Sequence, residues 1–291
     1  MKTKVFPCFC LLAMLITACE KPILPEDATD DTLSGNLKVS IYQLEQTSFS
    51  SLTRTAASDV CTHLNFAIYD MEGTRQKQTN QKVGDSDFGT TAFQLPEGSY
   101  QLVALAHSSS GNPTMTNPAK IQFTNSLGYT DTFLYHTMVT IGTEPQTLAL
   151  SLHRIVALCR FVISDAIPEG VARLEFTYKG GSGHFNAATG LGVTNSTQVV
   201  KYNVQAGKKN TQFDLYTFLH ETEGTINLKV TAYDAADNIQ HEREFDIPMT
   251  QNKVTWLTGD FFTDVTPVNS QSFTTTVTID TDWNGETHIT Y

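Results

Sequence analysis

The chain is poor in charge, in basic residues above all, and in cysteine, and it has no hydrophobic run long enough to cross a membrane after processing. Charged residues make up 17% of the 291, too few for long helices laced with ion pairs. Nineteen Lys and Arg stand against thirty Asp and Glu, a formal net charge of -11. A surface this acidic gives phosphate nothing to bind, which excludes nucleic acid as a partner, and it gives no electrostatic attraction to anionic lipid. Only two Trp occur, so extended aromatic platforms are scarce. What the chain does have is apolar content: 40% hydrophobic residues exclude wholesale disorder and allow a sizeable core. The abundance of Thr, Asn and Ser suits strands and turns, and the length accommodates two domains of ordinary size.

The N-terminus carries an address. Lys2 and Lys4 form a short basic region, and Val5 to Ile16 is an apolar stretch that stops at Thr17-Ala18-Cys19. A small residue directly before Cys, at the end of a stretch too short to span a bilayer, has the form of a bacterial lipobox. The reading is a signal peptide over 1–18, cleavage before Cys19 and acylation of Cys19. Removing eighteen residues from 291 leaves 273 and takes the net charge to -13. Several acyl chains anchor strongly. Residues 19–35 are acidic and hold two prolines without periodicity, which describes a lipidated flexible tether. Cys8 and Cys10 leave with the signal, so Cys61 and Cys159 remain. Two cysteines make no disulfide framework. They can form one bridge, but each sits in an apolar strand-like run where a buried free thiol is common.

From Asn36 onward short alternating runs are punctuated by Gly, Pro and Asn. Leu37–Tyr42, His63–Tyr69, Tyr100–Ala106, Thr132–Thr140, Thr147–Leu152, Ile155–Ile163, Ala172–Tyr178, Thr225–Tyr233, Ile239–Ile247 and Val254–Phe262 all read as strands. Thr74–Gly89 and Ser108–Asn117 read as the longest loops. So many strands exceed one small sandwich, and the pattern predicts two in series, an N-terminal β-sandwich over 36–153 and a C-terminal one over 154–291. Leu64, Phe66 and Ile68 should face the first core with Asn65 and Ala67 turned away. Phe161 and Ile163 should be buried in the second.

No catalytic pattern emerges. The eight histidines form no HxH or HxxxH pair, His220-Glu221 and His241-Glu242 lack the second ligand of a zincin, and there is no GxSxG elbow, phosphate loop or dinucleotide fingerprint. Asp280-Thr-Asp-Trp-Asn-Gly285 opens like a calcium loop, but Tyr291 stands where the bidentate Glu belongs, and Asn284-Gly285 alone is a hairpin signal. No cofactor, no metal and no enzymatic activity are expected.

Several segments in order carry a resemblance: Cys19; the loop Leu52-Thr-Arg-Thr55; His63-Leu-Asn-Phe-Ala-Ile-Tyr-Asp-Met-Glu-Gly73; Leu95-Pro-Glu-Gly-Ser-Tyr-Gln-Leu-Val-Ala-Leu-Ala-His107; His153-Arg-Ile-Val-Ala-Leu-Cys-Arg-Phe-Val-Ile163; and Asn252-Lys-Val-Thr-Trp-Leu-Thr-Gly-Asp-Phe-Phe262. Together they resemble the FimB-type fimbrial subunits of Bacteroidales, the lipoprotein anchor and accessory subunits of type V pili. The resemblance implies an all-β chain of two tandem transthyretin-like β-sandwich domains and a lipid on Cys19 that holds it at the outer membrane. It also implies assembly with other fimbrial subunits by strand exchange, and adhesion to a host surface protein or glycan. Arg54 lies in the polar loop after the first strand; related stem subunits are cut in such a loop by an arginine-specific protease, and Arg54 also reads as a plain solvated loop residue. A candidate donor strand lies in 272–283, where Phe273, Val277, Ile279 and Trp283 share one face; the same segment also reads as an ordinary last strand. The alternative reading is a surface carbohydrate-binding lipoprotein of a polysaccharide-uptake system.

Overall fold

A computed structural model describes residues 34–44, 60–124, 128–263, 276–278 and 286–291. Cys19, Arg54, Phe273, Ile279 and Trp283 lie outside the described residues, as does the calcium-like string. Every element among the described residues is a strand. The first eight are β1 (Leu37–Leu44), β2 (His63–Tyr69), β3 (Arg75–Lys82), β4 (Thr90–Phe93), β5 (Gly98–His107), β6 (Ile121–Gln122), β7 (Thr132–Ile141) and β8 (Gln146–Arg154). The remainder are β9 (Ala157–Ile163), β10 (Arg173–Ser182), β11 (His184–Phe185), β12 (Asn195–Asn203), β13 (Thr211–Thr217), β14 (Glu223–Tyr233), β15 (Ile239–Thr250), β16 (Val254–Gly259), β17 (Thr276–Thr278) and β18 (Glu286–Thr290). Ser34–Tyr291 forms one compact unit.

Within it the same wiring occurs twice. In the first half β4-β1-β8 faces β3-β2-β5-β7, and among the described residues the two layers join by backbone pairing where Phe133 and Leu134 of β7 pair with Arg154 and His153 of β8. In the second, β13-β9-β16 faces β12-β10-β14-β15. In both, the opening strand runs parallel to the closing one (β1 with β8, β9 with β16) and antiparallel to a neighbour (β4, β13). The second half adds β18 and β17 beyond β16. Each pair of layers encloses its own core. Leu37, Val39, Leu150 and Leu152 meet Leu64, Phe66, Ile68, Leu102 and Phe133 in the first. Cys159, Phe161, Ile163 and Leu257 meet Leu174, Phe176, Leu228 and Val230 in the second. Cys61 and Cys159 are both free and buried, so no bridge joins the halves.

Period-two alternation orients β2 as the sequence predicts, with Leu64, Phe66 and Ile68 in the core. Its reverse face, however, is not open to water. Ala67 and Tyr69 join a third apolar cluster in which Met115, Ile121, Phe123 and Tyr129 pack with Phe185 and Phe218 of the second half. The stretch after β5 lies over the back of the sheet, and β6 pairs with β11 to stitch the halves together. Asn65 is therefore fully buried and satisfied by side chains. Its Nδ2 donates to Asn80 and Asn112 Oδ1, both at 2.8 Å, and its Oδ1 meets His107 Nε2 at 2.7 Å. Because the Ser109 amide donates to His107 Nδ1, the ring proton sits on Nε2 and donates to Asn65. Burial, and then the neighbouring His63, lower the His107 pKa to about 3, so the ring stays neutral.

The expected loop Thr74–Gly89 is a correction: half of it is β3. Its sequence, Arg-Gln-Lys-Gln-Thr-Asn-Gln-Lys, shows no apolar alternation because it is an edge strand exposed along most of its length, and its charges blunt that edge. Two hairpins share one turn design. The Asp70 carboxylate accepts the amides of Glu72 and Thr74 and the Gln76 side chain, with Gly73 at φ 82°. The Asp234 carboxylate accepts the amides of Ala236 and Asn238 and the Gln240 side chain, with Asp237 at φ 62°.

Between the halves lies Arg154, whose side chain is wholly buried. It donates to both oxygens of Asp131, from Nε at 2.7 Å and from the guanidinium at 2.8 Å. It also donates to Asn252 Oδ1 at 3.3 Å, and its plane lies 4.9 Å from the Phe133 ring. Removing this cation leaves Asp131 without its counter-charge. Arg154→Ala should cost about 3–5 kcal/mol in denaturant titration, while Arg154→Met with Asp131→Leu should recover most of it. Phe161 packs edge-on against Phe176, Phe245 and Phe261. Phe161→Ala should likewise cost about 3–5 kcal/mol in the same measurement.

Candidate strand interfaces

An all-strand chain acts through its sheet edges and through strands that come and go. The first of these is β1. It is central, paired with β8 from Leu37↔Gln146 to Leu44↔Leu152 and with β4 from Leu37↔Phe93 to Ser40↔Thr90. Its entry is clamped by Asn36. The side-chain amide donates to the Leu95 carbonyl at 2.8 Å, the Leu95 amide returns a bond to Asn36 Oδ1 at 3.0 Å, and the Gln146 amide donates to the Asn36 carbonyl at 2.9 Å. A Cβ at Gly35 would sit 2.6 Å from the Phe93 carbonyl oxygen, so a side chain there would push the strand off β4. Leu37, Val39 and Leu44 are buried, each worth roughly 1.5–3 kcal/mol against exposure. Losing β1 would strip one pairing side from β4 and from β8 and uncover the first core. Arg54 follows this strand by ten residues in sequence.

The second is the β16 edge. There β18 pairs in parallel, from Val254↔Glu286 to Thr258↔Thr290. Ile289 enters the core. On the outer face one cross-strand row runs Asp214, Arg160, Trp256, His288. Arg160 grips both Asp214 oxygens at 2.7 and 2.8 Å and lies 4.9 Å from the Trp256 ring, which stacks on His288 at 5.4 Å. Beyond β18, the Tyr291 amide donates to Thr258 O and its hydroxyl to Val162 O, both at 3.0 Å. Its ring stacks on Phe161 at 5.2 Å and meets Phe245 edge-on at 4.8 Å. Burial drives the Tyr291 hydroxyl pKa up, so it remains a donor. Gly259 makes room, since a Cβ there would collide with the Tyr291 backbone and ring. Of the candidate donor residues, only Val277 lies in a described element, β17, whose backbone pairs antiparallel with β18 from Thr276↔His288 to Thr278↔Glu286.

Sequence reasoning passed over Glu286–Tyr291, because Glu-Thr-His-Ile-Thr offers one apolar residue in five and no alternation to read. It also passed over Asp165, whose carboxylate accepts the amides of Phe261 and Phe262 at 2.9 and 2.8 Å and both the amide and hydroxyl of Thr263. Among the described residues no three His, Cys, Asp or Glu side chains are grouped to hold a metal. Burial works against ionisation of Asp165, but the four donors outweigh it and hold the carboxyl below its ordinary range. A depressed carboxyl stabilises above its unfolded pKa of about 3.9 and loses that contribution as pH falls through the folded value. The melting-temperature difference between wild type and Asp165→Asn should therefore be constant near neutrality and shrink only below about pH 4.

A protein family of unknown function, DUF6562, matches residues 29–291. No curated protein matches the chain. Among solved structures, a candidate adhesin from Bacteroides ovatus ATCC 8483 is similar at 16% identity and a TM-score of 0.50, over 76% of this chain and 85% of that one. The fimbrial anchor protein Mfa2 from Porphyromonas gingivalis aligns at 12% identity and a TM-score of 0.43, over 71% and 80%. A fimbrial assembly protein from Parabacteroides distasonis ATCC 8503 aligns at 11% and 0.36, over 77% and 90%. At these identities the likeness is one of fold. With the family match running over nearly its whole length, the chain belongs to the DUF6562 family.

Proposed function

We propose that the chain is a lipid-anchored fimbrial subunit, an anchor or accessory component without catalysis, held at the outer membrane by acylated Cys19 and joined to other subunits by strand exchange. Tandem sandwiches occupy 36–153 and 154–291. The observation that carries this reading is the seat of β1. The described strand nearest the lipobox is a central member of the first sandwich, so a lipid on Cys19 is joined to the fold through β1, which sequence order places before Arg54. A cut after Arg54 would part them, and an anchor must keep them joined. For an anchor, Arg54 stays uncut and β1 stays in place; for a stem or tip subunit, the cut opens the groove to a donor strand such as 272–283 of another subunit, presented through Phe273, Val277, Ile279 and Trp283.

The carbohydrate-binding reading needs an aromatic face turned to solvent. Trp256 does not offer one, since β9 and β18 flank its strand and deliver Arg160 and His288 onto its ring.

Mass spectrometry of the protein from intact cells tests the proposal. An acylated Cys19 on a 273-residue chain is expected. An N-terminus at Thr55 would move the assignment to stem or tip, and a protein that never co-purifies with fimbriae would sink the fimbrial reading. Cys19→Ala should release the protein from the membrane fraction and abolish palmitate labelling; persistent labelling would overturn the anchor site.

A further inference from the structure

We infer that the outer edge of β16 is a strand-docking site, which the chain fills with its own Glu286–Tyr291 and which accepts the same segment from a second copy once that strand is displaced. The reasoning begins with the repeated wiring. In the first half β8 closes the sandwich by running parallel to β1, with no further strand appended among the described residues. In the second half β16 closes the sandwich in the same way beside β9, so the layers are complete before β18 is counted. β18 is thus an addition to a finished sandwich, seated on the main-chain groups of one edge.

That edge reads its occupant's side chains. On the inward face it takes an apolar residue, Ile289, followed two positions later by an aromatic, Tyr291, in a slot walled by Phe161 and Phe245 and opened by Gly259. Arg243 stands 5.0 Å from the Tyr291 ring, adding a cation–π contact to the slot. On the outward face the edge takes a planar ring, His288, against Trp256. Main-chain pairing gives adhesion, and these three positions give selectivity.

The covalent link does not decide which copy supplies the strand. Residues 260–285 join β16 to β18, and twenty-six residues reach at most about 85 Å when extended, whereas a return alongside a parallel strand of this length needs only about 20 Å. The contacts made within one chain and between two chains are identical, so the balance rests on effective concentration alone, the condition under which elements swap between copies. This inference stands on the packing of the second half and holds whether or not the protein enters fimbriae.

A fluorescein-labelled synthetic peptide of residues 284–291 and the full mature chain provide the test. Ile289→Asp displaces the resident strand by burying a charge. The peptide should bind this variant saturably and at least about tenfold more tightly than wild type, and adding Gly259→Ala should abolish the gain. Equal affinity for the variant and wild type, or no binding to either folded protein, overturns the proposal. Should Ile289→Asp fail to fold, Thr258→Cys with Thr290→Cys pins β18 to β16 at paired positions on the outer face. Oxidation should slow amide hydrogen exchange in β16 and β18 about tenfold or more relative to the reduced form, because the strand then cannot leave by itself. Unchanged exchange means that β18 never opens alone, and the docking site does not exist.

Discussion

A cation without access to water sets the geometry of this chain. Arg154 is the last residue of β8, and β9 begins three positions later. Its guanidinium must be matched in place, because an unpaired charge at zero exposure is not tolerable. Asp131, at the entry of β7, supplies the counter-charge beside the point where, among the described residues, the two layers of the first sandwich pair, Phe133↔Arg154 and Leu134↔His153. Asn252, in the turn before β16, accepts from the third guanidinium nitrogen, and its own amide bonds to the Val156 carbonyl. One side chain thereby ties the seam of the first half to the turn that aims β16 in the second. Gln251 reinforces the tie by donating to the carbonyls of Ile155 and Gly190. A wholly apolar junction would bind the halves as firmly but would not fix their register so narrowly.

How much of this the sequence discloses follows from what alternation can encode. Where large apolar residues alternate with smaller or polar ones, a strand writes its orientation in period two, so Leu64, Phe66, Ile68, Phe161 and Ile163 are legible as core. What covers the reverse face is not written in the same pattern. Asn65 reads as outward and is indeed on the reverse face, but only the fold brings Asn80, Asn112 and His107 to it. An edge strand exposed along its length writes nothing, which hides β3 in a polar stretch. Glu286–Thr290 is hidden for a different reason: a single apolar residue, Ile289, anchors it, and the remainder of its hold comes from Tyr291 and His288, whose partners lie over a hundred and about thirty positions away. Of the candidate site residues, Cys19 is proposed from a local motif and Arg54 from the resemblance, whereas a donor or docking role depends on which edge is open. Edge order in a sheet is a property of topology, not of local sequence.

The repeated wiring explains why parallel pairs appear at all in a chain made of hairpins. Leaving aside the two-residue β6 and β11, six chain reversals separate the strand that opens a sandwich from the strand that closes it, and an even number leaves the two pointing the same way where they meet in one layer, as β1 and β8 do, and β9 and β16. Because they are distant in sequence, nothing local holds them together. Their cohesion comes from buried side chains and from clamps at their ends, Asn36 for β1 and Asp165 for the chain leaving β16. Such strands carry much burial and little local constraint, which makes them the elements that can be withdrawn or replaced as units.

The two halves use this property differently. In the first, the opening strand is central: removing β1 would expose both β4 and β8 and empty a core. In the second, the corresponding β9 is locked between β13 and β16 by Arg160, Trp256 and the Phe161 cluster, and the strand at the margin is the appended β18. Removing β18 exposes one edge and uncovers Ile289 and Tyr291 without dismantling the sandwich behind them. A central strand can be exchanged only where a donor restores the whole of the lost core, so its exchange is all or none. A marginal strand can be exchanged at a cost near that of one apolar and one aromatic side chain, so its exchange is graded and sensitive to single substitutions at Gly259, Ile289 and Tyr291.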